Sequence, residues 1–258
     1  MVSEFMLQQT PVNRVREPWQ AWISQCPSPA ALAASSAGEA VRAWGRLGYP
    51  RRALRLHEAA RMITTDYDGR VPDRKEDLLR LPGVGSYTAA AILAFGYGQR
   101  QVVLDTNVRR VLARVAGGTP SPTASTGVAE VARAEQFVPR EAARAARWAV
   151  ASMEFGALVC TARSPRCAEC PVAAACRWRQ AGFPNEHERQ RPAQPYHGTD
   201  RQCRGALLAV LRSVDAGVPL AELEGSWADA PQRERALASL LADGLVVRLA
   251  SGSYALPP

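Results

Sequence analysis

Lysine is almost missing from this chain: of 32 basic side chains only Lys75 is a lysine, and the rest are arginine. A mechanism that needs an amine nucleophile therefore has one side chain, or the chain terminus, to draw on. No apolar run approaches the ~20 residues of a membrane span, which sets aside a membrane protein. No apolar signal segment opens the chain, so a reducing compartment is expected and a secreted disulfide framework is disfavoured. Strand-like alternation is absent before residue 240, and there is neither an internal repeat nor a low-complexity tract, which removes sheet-based and repeat architectures for most of the length.

What is present is helical and basic. The 258 residues carry a net charge of +8 with 47% hydrophobic content, enough for one large domain or two smaller ones. A basic excess of this size points to a nucleic-acid partner. Much of the preference for arginine over lysine reflects composition at large, since alanine is abundant as well. Apolar residues recur at helical spacing over 31–46, 51–65, 75–80, 86–97, 107–116, 127–137 and 140–155, punctuated by Pro and Gly. The stretch 182–199 is polar and proline-bearing and reads as a linker. Helical segments at 201–213, 220–223 and 230–243 follow it. Two β-prone runs, 245–249 and 253–256, then flank Ser251-Gly252. Helix, helix, helix and hairpin within residues 200–258 is the pattern of a winged-helix module, a type that either contacts DNA or packs on its neighbour.

Four cysteines, Cys160, Cys167, Cys170 and Cys176, form a Cys-x6-Cys-x2-Cys-x5-Cys frame within 17 residues. Four thiolates that close can saturate one zinc ion or one [4Fe–4S] cube. Zinc frames commonly pair two Cys-x2-Cys knuckles across a longer gap. The single short step here, with gaps of six and five, suits a cube better. Cys26 and Cys203 lie outside the frame and receive no role.

Leu81-Pro82-Gly83-Val84-Gly85 separates two helical stretches. Glycines at Gly83 and Gly85 allow a tight turn at positive φ, after which the N–H groups of Val84, Gly85 and the opening helix can receive a phosphate. By itself a Gly-x-Gly turn is weak evidence. In its setting, however, the string from Leu79 to Ala91 resembles the hairpin of the helix-hairpin-helix DNA glycosylases, and Asp105 follows about 20 residues after Gly85. Further motifs resemble the MutY-type adenine DNA glycosylases in the family's order: Ser3-Glu4-Phe5-Met6-Leu7-Gln8-Gln9-Thr10, Leu47-Gly48-Tyr49, Leu56-His57, Met153-Glu154-Phe155-Gly156-Ala157 and the cysteine frame. The frame alone would also fit endonuclease III relatives. The resemblance covers residues 1 to about 180.

The resemblance implies an all-α fold in which residues 1–181 form a helix-hairpin-helix glycosylase domain, with the iron–sulfur lobe over 110–181. A linker at 182–199 and the winged-helix-like α+β module at 200–258 follow. It implies base excision repair, by hydrolytic removal of adenine mispaired with 8-oxoguanine or guanine in duplex DNA. Glu4 would be the acid that protonates the base, with a pKa raised by burial, and Asp105 the carboxylate that stabilises the sugar cation. Asp105 can cap a helix at the same time. Tyr87 and Asn107 complete the catalytic set. Bifunctional relatives carry lysine where Tyr87 stands, so this chain should leave an abasic site uncut. Leu7, Gln8 and Gln9 match the wedge that fills the space of a flipped base, Gln9 being the plug. Glu154 matches a base-pocket residue, although a surface carboxylate is the plain alternative. His57 reads as a core or interface histidine. A [4Fe–4S] cluster on the four cysteines would fix a loop carrying Arg163, Arg166, Arg177 and Arg179 toward phosphates. A monomer in a cytoplasmic, nucleoid-associated setting of bacterial type is expected, with no membrane partner.

Two departures stand out. Family members carry about thirty residues before the Ser-Glu motif, including an arginine that reaches the lesion, whereas Glu4 here sits near a chain end, where chains fray. A shortened chain with weak activity is the expectation. The segment 200–258 is also too short for the nucleotide-hydrolase-like domain that reads 8-oxoguanine in many relatives. The alternatives are a thymine glycosylase for guanine mismatches and a catalytically impaired iron–sulfur DNA-binding protein.

Overall fold

The computed structural model describes residues 1–184 and 196–258. Residues 185–195, most of the expected linker, lie outside the described residues. Among the described residues the chain forms α-helices and a single two-stranded antiparallel ribbon, in keeping with an all-α class carrying a small α+β tail. None of these helices is long and apolar enough to cross a membrane. The elements gather into two compact units.

The first unit comprises Met1–Pro72, Arg80–Gly83 and Pro192–Pro258. Its helices are α1 (Val2–Leu7), α2 (Val12–Gln25), α3 (Pro29–Ala34), α4 (Ala37–Trp44) and α5 (Arg51–Asp66). At six residues α1 is too short to persist alone, since isolated helices below ~12–15 residues are marginal. It is held by complete burial of Phe5 and Met6. The interior of the unit is aromatic: Trp22 meets Trp44 edge-on, ring centroids 5.8 Å apart. Pro18 stands inside α2. An interior proline costs about 3 kcal/mol of helix stability, and burial of Val15 and Trp22 offsets it. That proline kept α2 out of the periodicity reading. The single helix expected over 31–46 is in fact α3 and α4. Ser36 caps α4 in a capping box, its hydroxyl accepting from Glu39 N at 3.0 Å while Ser36 N donates to Glu39 Oε2 at 2.6 Å.

The C-terminal part of this unit holds α12 (Asp200–Arg212), α13 (Leu220–Glu224), α14 (Ala230–Ala242), β1 (Val247–Arg248) and β2 (Tyr254–Ala255). The ribbon pairs Val247 with Ala255, and Val218 bridges to Tyr254. Leu207, Leu211, Leu223 and Leu240 are its buried centre. Close backbone approach ties it to α4: Gly38 N donates to Pro257 O at 2.8 Å, and a Cβ at Gly38 would meet that oxygen at 2.4 Å. Arg212 Nε donates to Val41 O at 3.0 Å, and Arg42 Nη2 to Val214 O at 2.6 Å.

The second unit comprises Asp73–Leu79 and Val84–Arg191. It contains α6 (Lys75–Leu78), α7 (Ser86–Tyr97), α8 (Thr106–Val115), α9 (Val128–Glu135), α10 (Ala142–Leu158) and α11 (Arg177–Gln180), with short 3₁₀ turns at Cys167–Glu169 and Ala173–Ala175. Small residues set its spacing. Ala90, Ala91 and Ala94 of α7 meet Ala149 of α10 and Val103, so these helices approach closely. Gly156 of α10 faces Asn107 of α8, where a Cβ would stand 2.7 Å from that of Asn107. A bidentate ion pair, Arg109 to Glu130 at 2.7 and 2.8 Å, joins α8 to α9.

Candidate active site

Glu4 lies in the first turn of α1, in the first unit, and is partly exposed. Beyond α1, Gln9 is exposed at φ +54°, a conformation rare outside glycine. Gln8 Nε2 donates to Gly83 O at 3.3 Å, so the wedge segment touches the hairpin tip. The two hairpin glycines serve different ends. Gly83 adopts φ +81°, and a Cβ there would stand 2.8 Å from the Phe5 ring. Gly85, contrary to the sequence reading, is extended at φ −95°, exposed, and has open space where a Cβ would go. Nothing inside the protein demands glycine at 85. Gly85 is also the N-cap of α7 with no side-chain cap, which leaves the positive end of the helix facing outward.

In the second unit the remaining residues form a connected network. Asp105 is the N-cap of α8, its Oδ1 accepting from Val108 N at 2.6 Å. Its Oδ2 accepts from Asn107 Nδ2 at 2.7 Å. Asn107 Oδ1 in turn accepts from Arg110 Nη2 at 2.8 Å, which also donates to Gly156 O at 2.7 Å. Arg110 Nε reaches Cys160 O at 2.8 Å. One guanidinium thus links the cysteine loop to the aspartate. Burial, and then the neighbouring Arg114 charge, lower the pKa of Arg110, while Cys160 and Asp105 oppose that shift. Arg110 is the residue the sequence reading missed; its position three past Asn107 on a helix was the available signal. Tyr87, partly buried, packs its ring on the alanine cluster between α7 and α10. Glu154 is exposed on α10.

The four frame cysteines line one cavity with Arg114, Phe155 and Trp178. Burial pushes the Cys167 thiol up, and nearness to Cys160, Cys170 and Cys176 pushes it further, so the four sulfurs converge. Arg114 is buried, donates to Cys160 Sγ at 3.5 Å, and stacks on Trp178 at 4.6 Å. No three His, Cys, Asp or Glu side chains among the described residues stand as a single-ion site. Four thiols lining one cavity fit a cluster's ligand requirement, and a cation against the sulfurs suits its net negative charge. Of the arginines expected to face phosphates, Arg166 donates to Leu158 O at 2.6 Å and Arg177 to Ala116 O at 3.0 Å. These two brace the loop.

A helical fold with an outward-facing hairpin, an anchored aspartate and a cluster-type cysteine cavity defines a DNA-processing enzyme of the helix-hairpin-helix class. The model of the HhH-GPD superfamily base excision DNA repair protein matches residues 2–133, and that of the iron-sulfur binding domain of endonuclease III matches residues 160–176. The chain is 51% identical over 258 residues to the adenine DNA glycosylase of Mycobacterium tuberculosis (strain CDC 1551 / Oshkosh), spanning 100% of this chain and 84% of that protein. It is 41% identical over 181 residues to the adenine DNA glycosylase of Homo sapiens, 69% of this chain and 33% of that one. A solved thermostable thymine-DNA glycosylase is similar at TM-score 0.64 and 28% identity, over 70% of this chain and 82% of that one. The chain belongs to the HhH-GPD superfamily of base excision DNA repair proteins, in its adenine DNA glycosylase family. The chain carries a [4Fe–4S] cluster, and the matched iron-sulfur binding segment, residues 160–176, spans the four frame cysteines.

Proposed function

We propose that this protein hydrolyses the N-glycosidic bond of adenine mispaired with guanine or 8-oxoguanine in duplex DNA and leaves the strand uncut. The observation that carries the reading is Asp105, whose two oxygens are each fixed by a short hydrogen bond within a helix cap. Cleavage needs a better leaving group and a stabilised sugar cation, and two carboxylates divide that work. Glu4 delivers the proton to adenine. Asp105, held in one orientation by Val108 N and Asn107, stabilises the cation without having to reorganise. Arg110 orients Asn107 and thereby Asp105. Cys160, Cys167, Cys170 and Cys176 would hold the cluster and so fix the 160–176 loop, which supplies the Cys160 carbonyl that holds Arg110.

Gln9, with Leu7 and Gln8, fills the space the extruded base leaves. The N–H groups at Val84, Gly85 and Ser86 receive a phosphate, which is why glycine stands at 85. Glu154 lines the base pocket. Tyr87 excludes a Schiff-base route. Residues 1–181 form the catalytic domain, 182–199 the linker and 200–258 a winged-helix-like module, and the protein works as a cytoplasmic monomer. Thymine removal, the second reading, is not favoured, since the chain is 51% identical over its whole length to an adenine DNA glycosylase.

One assay separates these readings. Duplexes with adenine or thymine opposite guanine or 8-oxoguanine are incubated under single-turnover conditions, then treated with alkali to reveal abasic sites. Adenine release by the wild type, and its loss with retained mismatch binding in Glu4→Gln, is the expected result, because an amide cannot donate the proton. Thymine release alone would overturn the adenine reading. Robust adenine cleavage by Glu4→Gln would remove Glu4 from the mechanism.

A further inference from the structure

We propose that Arg52 is a positioning residue that holds the helix bearing Glu4 and the turn bearing Gln9 in their working geometry. The inference rests on the roles given above to Glu4 and Gln9. Arg52 sits in the first turn of α5, and only 6% of it is exposed. That placement is locally unfavourable: a cation there opposes the helix dipole, and burial lowers the Arg52 pKa to about 10. It nonetheless stays charged at neutral pH, and among the described residues none of its hydrogen bonds goes to a carboxylate.

Backbone and hydroxyl oxygens surround it instead. Nη1 donates to Phe5 O at 2.7 Å, to Met6 O at 3.1 Å and to Gln8 O. Nη2 donates to Thr10 Oγ1 at 2.9 Å and to Gly48 O at 2.8 Å. The guanidinium also lies over the Trp44 and Tyr49 rings, at 5.1 and 5.6 Å. The last carbonyls of a helix have no partners within it, and Arg52 supplies them for α1. A six-residue helix cannot keep its direction unaided, so the place of Glu4 depends on this cap. The same fork grips both ends of the turn that forces Gln9 to φ +54°. A planar donor with five N–H groups does this; a lysine ammonium cannot reach all these acceptors at once.

The test compares wild type, Arg52→Lys, Thr10→Val and Glu4→Gln, each loaded with iron. The measurements are circular dichroism, duplex binding, single-turnover adenine release and amide hydrogen exchange. Arg52→Lys should fold and bind duplex DNA as the wild type does. Its rate of base release should fall about 10²-fold, the scale of a misplaced catalytic group. Amide protection should be lost over residues 5–10 and kept over α5. Thr10→Val, which deletes a single acceptor, should show a smaller loss of the same kind, and it serves as the test should Arg52→Lys fail to fold. An unchanged release rate in a folded Arg52→Lys or in Thr10→Val would overturn the proposal. Protection lost evenly across the first unit would also overturn it, by making Arg52 a general core residue. Full activity in Glu4→Gln would instead sink the functional reading, and the exchange experiment would still report the hold of Arg52 on α1.

Discussion

At the scale of single residues, the two hairpin glycines differ in what the fold asks of them. Gly83 is required internally by its positive φ and the nearby Phe5 ring. Gly83→Ala should therefore lose about 1–3 kcal/mol in chemical denaturation, the cost of a side chain in that region. Gly85 meets no internal atom, so Gly85→Asp should leave stability nearly unchanged while weakening matched and mismatched duplexes alike in titrations. Unchanged DNA affinity in a folded Gly85→Asp would reduce the hairpin to a packing turn. Tyr87 and Lys75 make a second residue-scale prediction. Borohydride added during turnover should trap no covalent DNA adduct, because Tyr87 offers no amine; trapping that survives Lys75→Ala would implicate another amine.

At the scale of elements, α8 and α10 meet through one close contact. Gly156 lets α10 approach Asn107, and Arg110 fastens the two helices through Gly156 O and Cys160 O. Gly156→Ala would press a methyl group on Asn107 and tilt the cap that orients Asp105. We expect it to destabilise by about 1–3 kcal/mol, as overpacking does. Base release should fall by more than the loss of folded protein explains, with duplex binding retained. A fall in activity that tracked only the folded fraction would uncouple the contact from Asp105. The run over 86–97 was legible as a helix because no proline interrupts it, although it is apolar on every side, residues 88–94 all being buried. The break between α3 and α4 was legible too, in Ser36-x-x-Glu39, but an unbroken apolar pattern ran across it.

For the whole molecule, charge and iron are the two readouts. Anaerobically purified protein should be brown and hold about four irons per chain, and stoichiometric zinc without iron would contradict that. The net charge of +8 is not shared evenly: residues 200–258 carry six arginines against seven acidic side chains. Several of those arginines are engaged, Arg204 with Asp243 at 2.6 Å and Arg212 with Val41 O. The C-terminal module therefore has the character of a brace on α4 more than of a DNA reader. Arg201→Ala with Arg248→Ala should leave the salt dependence of duplex binding unchanged, whereas a slope reduced by nearly two would make the module a phosphate contact.

Residue identities at set spacings pointed to the family, to the proposed chemistry and to most of the helices. The four-cysteine frame, the hairpin glycines, Glu4, Asp105 and Tyr87 are local patterns in which each residue type admits few reactions. The C-terminal ribbon was equally visible as two β-prone runs about a Ser-Gly turn. Tertiary structure decided what local pattern cannot encode. Arg52 and Arg110 look like any other arginine in an arginine-rich chain, and only packing reveals which carbonyls surround them. Gly38, Gly83 and Gly156 differ from Gly85 solely in what a Cβ would meet. Hydrogen bonds and close contacts between residues tens of positions apart depend on the folded path of the chain, and for that reason the positioning network was invisible until the helices were placed.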